Sequence, residues 1–407
     1  MLSPNYLARI AEGAEEIASS LHTYLVREII ERIMIRLGRG ESYLFTAADE
    51  WRIQTLQESG ILLEKIVKEI AKYTNLEQTE IKAAMQDAGI KALEYDDLIY
   101  EAAGISTTPL IQSPEYIRLM ERNMSATLVE WRNYTRTTAN ASQNLYISSC
   151  DDAYNRVMTG GVSYTQAVKE AVERIASSGV TVSYPSGHTD TIETATARAV
   201  RTGISQAAAE ISIKRMEEVQ WDIVLVSAHL GARTGDGGEN PGNHFWWQGK
   251  YYSRTGNDDR FPPLSVTGYG TGEGLCGWNC RHSFGSGTGK PEDNPYKNFD
   301  SEENKRVEEM EKRQRRYERE IRKAKREVAG MQAAVDSCKD DKLKYELQQD
   351  LDARSALLTR KNKAYNEYCE KNKVKPLRER LQIAEWDRKK AAKAAAAARR
   401  YERRNNE

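Results

Sequence analysis

From the N-terminus to about residue 228, apolar positions recur every three or four residues, the spacing of helices that bury one face. Leu7, Ile10, Ala14, Ile17 and Leu21 share such a face, and Leu25, Ile29, Ile33 and Leu37 continue it. Ser3-Pro4 opens this stretch with a capping hydroxyl and a proline in the first turn, where a missing N–H costs nothing. Gly38 and Gly40 close it. The pattern then predicts shorter helices: one carrying Trp51 and stopping at Gly60, and others over 62–73 and 77–88. Ser113-Pro114 opens a helix that runs through Trp131. Another, through Tyr154 and Val157, stops at Gly160-Gly161, and one over 164–176 stops at Gly179.

The period switches to two at Val180, Val182 and Tyr184, and Pro185-Ser186-Gly187 turns the chain, which predicts a short strand or hairpin arm. A helix follows from about 191 to 216. "VQWDIVLVSAH" then has the strongest strand pattern in the chain, with Val219, Trp221, Ile223 and Leu225 on one face.

Between 231 and 289 the character changes. These 59 residues hold 15 of the 27 glycines and three of the seven tryptophans. A segment that retains Phe245, Trp246, Trp247, Phe261 and Trp278 is not a flexible linker, which would lack large apolar groups. It reads as an ordered, loop-rich module, and modules of this kind are usually held by something besides an apolar core.

Beyond residue 300 the chain is charged and helical. Val307, Met310, Gln314, Tyr317, Ile321, Ala324, Val328, Met331, Val335 and Cys338 alternate at spacings of three and four, a coiled-coil or helical-hairpin seam weakened by Gln314 and Ala324. Leu347, Leu351, Leu358 and Tyr365 mark a second helix able to fold back along it. Lys375-Pro376 interrupts, and "RKKAAKAAAAARRYERRNNE" is basic, alanine-rich and lacks an apolar face, so it reads as frayed helix or disordered tail. The predicted fold is mainly α with a small α+β, glycine-rich loop module in the centre, a C-terminal coiled-coil-like helical hairpin and a basic tail. The expected divisions are 1–178, 179–300, 301–374 and 375–407.

Charge changes the picture of partners. The 60 Lys+Arg balance 60 Asp+Glu overall, but residues 301–407 carry 31 against 21, so a body at −10 precedes a segment at +10. Such asymmetry bears on partners, DNA among them, and is equally met by a solvated helical surface. No apolar run approaches the ~20 residues of a membrane span. The N-terminus lacks the basic start and apolar core of a signal peptide. Five thinly spread cysteines argue against a disulfide framework.

The candidate chemistry sits in "CGWNCRH". Cys276, Cys280, His282 and the nearby His244 are thiolate and imidazole donors that would close a tetrahedral Cys2His2 zinc site. The spacing departs from the usual knuckle, with three residues between the cysteines and no second Cys-x-x-Cys. Two alternatives stay open: buried cysteines acting as small apolar groups beside hydrogen-bonded histidines, and a cysteine nucleophile with His229, His244 or His282 as its base. No strand–nucleophile–helix context surrounds either cysteine, and no helix follows "CRHSF" as a histidine–metal nuclease would require.

Taken together, "YDDLIYEAAG", "YPSGHTDTIETATARAVRTG", "SAHLGAR", "HFWWQGKYYS", "TGYGTGEGLCGWNCRHSF" and "EREIRKAKRE" resemble the minor capsid protein 2 family of tailed phages, and more distantly the head-morphogenesis protein of phage Mu. The resemblance runs in order along nearly the whole chain. It implies a non-enzymatic virion protein, associated with portal and capsid proteins and acting in head assembly or early DNA delivery. Packaged DNA would be met by the basic tail, and host bacterial cytoplasm would be the place of assembly. Its shared turn maps onto Asn279, Cys280 and Arg281, and its histidine-bearing motifs onto His188, His229 and His244, with Arg233, Trp247, Gly249 and Trp278 as companions. Two rival expectations are a zinc-stabilised nucleic-acid-binding protein and a Cys/His- or metal-dependent hydrolase.

Overall fold

The structure, a computed structural model, describes residues 1–44, 48–184 and 186–406. It is about 70% helix. Helices α1 (Pro4–Arg9) and α2 (Glu12–Leu37) are followed by α3 (Ala48–Ala102), α4 (Pro114–Met158) and α5 (Tyr164–Ser178). Strands β1 (Thr181–Ser183) and β2 (Thr189–Thr191) form an antiparallel hairpin, with Pro185 of the expected turn outside the described residues. Next come α6 (Ile192–Glu218), β3 (Ile223–Val226), the one-turn α7 (His244–Trp247), β4 (Tyr251–Ser253) and β5 (Phe284–Ser286). The chain ends in α8 (Ser301–Ser337), α9 (Asp341–Asn372) and α10 (Arg388–Asn406).

The chain divides into two compact units, each assembled from three segments. One comprises Met1–Glu15, Leu76–Arg132 and Thr196–Lys312, and the other Glu16–Asn75, Asn133–Ala195 and Arg313–Glu407. Helices α2, α3, α4, α6 and α8 each contribute residues to both units.

Three expectations are corrected. The short helices of 48–102 are one helix of 55 residues, because Gly60 and Gly89 do not stop it. A glycine inside a helix costs only ~1 kcal/mol relative to alanine, and at Gly89 its bareness lets Ile211 and Leu110 pack close, 3.0 and 3.3 Å from where a Cβ would stand. The alternation foreseen around β3 fails: Val224, Leu225 and Val226 are all buried, because β3 is the central strand of the sheet β4-β3-β5 and is covered on both faces. The C-terminal tail is an ordered helix. Ala394, Ala397 and Ala398 are its buried stripe. Asp352 of α9, fully buried, receives Arg400 at 2.7 Å and Arg404 at 2.8 Å.

In that second unit α9 runs back along α8. Gln314 donates to the Tyr365 hydroxyl (3.3 Å), Lys361 pairs with Glu320 (2.9 Å), and the Tyr317 and Tyr368 rings lie 5.1 Å apart. Ile321, Ala324, Val328, Met331 and Val335 are buried, whereas Val307, Met310 and Tyr317 are half-buried. From 324 to 335 the helix buries more than a seam. At Gly330 a Cβ would stand 2.8 Å from Ile30 of α2 and 2.9 Å from Ala176 of α5, so α8 is packed on several sides there.

In the first unit, one apolar cluster joins Leu7, Ile81, Met85, Val200 and Ile204. A second gathers Met216, Val224, Trp247, Tyr252, Leu275, Cys276, Cys280 and Phe284 around the three-stranded sheet.

Candidate metal centre

The central module is built by turns tied to one another through backbone and side-chain hydrogen bonds. Gly268, at φ +67°, turns the chain where a Cβ would meet Pro241 at 2.5 Å, and Leu275 N–H then returns to the Thr267 carbonyl at 3.0 Å. Cys276 and Asn279 both adopt left-handed backbone, φ +60° and +56°, a conformation that costs non-glycine residues energy. That pair of reversals folds "CGWNC" into a knot and carries Cys280 and His282 inward, to 1% exposure each. Asn243 caps α7 by accepting the Trp246 N–H at 3.2 Å, which sets His244 on the inner side of that single turn.

Three of the four expected ligands converge. The Nδ1 atoms of His244 and His282 lie 3.8 and 3.7 Å from Cys280 Sγ, and the three donor atoms are all within 4.8 Å of one another. The fourth, Cys276, is buried nearby, but its thiol faces the His282 carbonyl at 3.9 Å, outside that set. The outer ring nitrogens are held: His244 Nε2 lies 2.8 Å from the Glu273 carbonyl and His282 Nε2 3.0 Å from Gln248 Oε1. Trp247, completely buried, closes one side, its ring 4.5 Å from that of His244 and 4.8 Å from that of His282.

Burial, helped by Arg233, lowers the His244 pKa to about 4. Burial and the neighbouring His229 and His244 hold His282 well below its ordinary value. Both imidazoles are therefore neutral at pH 7, the form that ligates metal. Burial pushes both cysteine thiols up, the opposite of what activates a cysteine nucleophile.

The remaining motif residues support this centre or lie elsewhere. His229 stacks on His282 with ring centres 4.4 Å apart, and its backbone N–H donates to Gln248 Oε1 at 3.0 Å. Arg233 donates to the Trp278 carbonyl (2.9 Å) and Arg281 pairs with Glu311 (2.9 Å). Gly249, at φ +67°, brings the chain against Ala228, while Asn279 accepts from Arg201 at 3.4 Å. Trp278 is 58% exposed and lies flat over Gly272, where a Cβ would stand 2.8 Å from its ring. His188 belongs to the β1–β2 hairpin of the other unit, exposed beside Asp190.

Sequence reasoning missed Gln248, Asn304 and Glu308. Fully buried Asn304 accepts the N–H groups of Gly231 and Ala232 at 2.8 and 2.9 Å and donates to the Ala232 carbonyl at 2.9 Å. Glu308 accepts from the Thr234 N–H and hydroxyl at 3.2 and 2.8 Å. Asn304 and Glu308 are four apart, one helical turn, which is the signal that was available: two polar residues on the inner side of α8 beside Val307.

The family model for phage minor capsid protein 2 matches residues 2–370, spanning the knot, the module and most of the helical hairpin. The chain belongs to the phage minor capsid protein 2 family. A relative described as "Structural protein", from Lactococcus phage LL-H, is 22% identical over 295 residues, 68% of this chain and 76% of that protein. No solved structure matches the chain. Membership makes this minor capsid protein a phage structural protein whose neighbours are other head proteins. None of its described helices is long and apolar enough to cross a membrane.

Proposed function

We propose that this minor capsid protein sits at the portal end of a tailed-phage head and acts in capsid assembly or early DNA delivery. The observation that carries this is the family match across residues 2–370, which includes the central knot and not merely a helical segment. The surface chemistry of α10 supports a DNA-facing role. Its alanine stripe is taken up by α9, while Arg388, Lys389, Lys393, Arg399 and Arg403 remain exposed and Glu402 is the acidic residue among them. A helix with one docked face and one cationic face suits a phosphate surface better than a second apolar partner.

Co-purification tests the first half: the chain should appear in purified virions and cross-link to the portal ring, and virions lacking it would overturn the reading. The full chain should also bind duplex DNA with an affinity that falls steeply with salt, log K declining by about 0.9 per phosphate neutralised for each tenfold rise in salt. Replacing Lys389, Lys393, Arg399 and Arg403 with Gln should flatten that slope. An unchanged slope removes the tail from the DNA contact.

A further inference from the structure

The hydrogen-bond inventory of the buried histidine–cysteine cluster does not close with protein atoms. A carbonyl only accepts, so the 2.8 Å approach of His244 Nε2 to the Glu273 carbonyl places a proton on that nitrogen. Gln248 Oε1 already accepts the His229 N–H at 3.0 Å, which fixes which end of the amide faces His282 and places a proton on its Nε2 as well. Each imidazole therefore carries its lone pair on Nδ1. Both lone pairs aim at Cys280 Sγ, at 3.8 and 3.7 Å, and that thiol has a single hydrogen to give. At least one imidazole nitrogen in an almost fully buried site is left without a donor, an unfavourable state if nothing else fills it.

A cation resolves this. At a tetrahedral zinc with Zn–S ≈ 2.3 Å and Zn–N ≈ 2.0–2.1 Å, sulfur and nitrogen ligands stand about 3.5 Å apart, within a few tenths of the two sulfur–nitrogen spacings here, and the two ring nitrogens, within 4.8 Å, would close to about 3.3 Å on the metal. The sulfur also receives the His282 N–H at 3.3 Å, which would stabilise a thiolate. The Nε2–H groups are oriented by oxygen acceptors, as the outer nitrogens of metal-bound histidines regularly are. Neutral imidazole with thiolate selects zinc over the hard cations that prefer oxygen.

We propose that His244 Nδ1, Cys280 Sγ and His282 Nδ1 bind one zinc ion, with Gln248 and the Glu273 carbonyl orienting the rings. Cys276 is outside the ligand set. The fourth position is filled by a small ligand such as water. The metal joins the α7 turn to the knot before β5, so it stabilises the module and leaves the Trp278 surface untouched. Zinc binding releases the Cys280 proton to solvent and breaks no other bond.

Elemental analysis of the full-length chain should find one zinc per chain, retained in Cys276→Ser and lost in Cys280→Ser and His244→Ala. Because the latter two variants alter a buried site, the wild-type protein supplies an independent readout. Stripped with a chelator and titrated with cobalt(II) alone, it should develop tetrahedral d–d bands and a thiolate-to-cobalt charge-transfer band. Gln248→Ala should keep the fold and weaken cobalt binding by roughly 10–100-fold. Wild-type protein with neither zinc nor a cobalt spectrum overturns the proposal. Loss of metal from Cys276→Ser, or unchanged affinity in Gln248→Ala, overturns the ligand assignment.

Discussion

Each unit buries a histidine, and the two solve the same problem in opposite ways. In the helical unit, His22 Nε2 accepts the Val180 N–H at 3.1 Å, so Nδ1 carries the proton and donates to Glu193 at 2.8 Å. Arg326 completes the set, 3.2 Å from the same carboxylate. Every ring atom able to hydrogen-bond has a protein partner, and the arrangement is closed. In the glycine-rich module two imidazole lone pairs compete for one thiol hydrogen, and the arrangement stays open. A buried histidine is thus read by its inventory of donors and acceptors, since burial alone is the same in both places. The backbone differs too: helices pack side chains against side chains, whereas the module packs backbone on backbone.

The sharpest way to break that contrast is Gly274→Ala. A Cβ there would stand 2.5 Å from the Thr267 carbonyl oxygen and collide with that of Gly268, both backbone atoms with no rotamer to yield. The substitution should cost about 5 kcal/mol or more and abolish cooperative melting of the module. A variant that melts like wild type would show that the knot is not backbone-packed.

Next comes Glu193→Ala, which strands the Arg326 charge and the His22 Nδ1–H. Breaking a buried pair in this way costs about 3–5 kcal/mol, measurable by urea unfolding, and the cost should be the same with or without a chelator. Its pH dependence has a definite sign. Burial pushes the Glu193 carboxyl up, but His22 and Arg326 together outweigh it and hold the group well below the usual carboxylate range. A depressed carboxyl contributes fully above its unfolded value of about 4.3 and loses that contribution as pH falls below it. The difference in stability between wild type and Glu193→Gln should therefore be constant above pH ~5 and shrink on acidification. A difference that grows on acidification would reverse the assignment.

These two centres also differ in how much of each was legible. Cys276, Cys280 and His282 advertise themselves within seven residues, and His244 lies in the same glycine-rich stretch, so the candidate cluster could be named from spacing. Spacing alone put Cys276 into it, because nothing local reveals that the Cys280 thiol reaches both histidines while the Cys276 thiol, near the same His282 carbonyl, stays outside the donor set. His22, Glu193 and Arg326 are separated by 171 and 133 residues. They share no pattern, and only tertiary packing brings them together. The helical periodicity identified helices but not their lengths: α3 was divided into short pieces, and α4 runs unbroken from Pro114 to Met158 through what was read as two helices. It failed at Gly60, where a glycine was taken as a stop, and at α10, where Ala394, Ala397 and Ala398 bury a face too small to register as hydrophobic. Asp352, which anchors that helix, looks like any surface acid of α9 until Arg400 and Arg404 fold over it.

Asp352→Ala sharpens the comparison at lower cost. Its carboxylate is buried, but Arg400 and Arg404 are 49% and 41% exposed, so both can regain water once released. Loss of the pair should cost about 1–3 kcal/mol, less than Glu193→Ala, where His22 is fully buried and Arg326 only 12% exposed. Limited proteolysis should cut α10 sooner in the variant, while the glycine-rich module stays intact. Equal cutting in both proteins would mean that the alanine stripe alone docks the helix.

Gly60→Ala has the smallest effect and the opposite sign. Nothing lies within 4 Å of the Cβ it would add, and Gly60 sits inside α3 with helical neighbours on both sides. Alanine there restricts the unfolded chain and asks nothing of the folded one, so stability should rise by about 0.5–1 kcal/mol. The same residue type, changed to the same alanine, should destroy the knot at 274 and firm the helix at 60. The reason is that in one place glycine is required by the backbone it touches, and in the other it is merely tolerated by a helix long enough to carry it. If Gly60→Ala destabilises instead, α3 bends or ends at that point, and the division into short helices suggested by the sequence pattern would be restored.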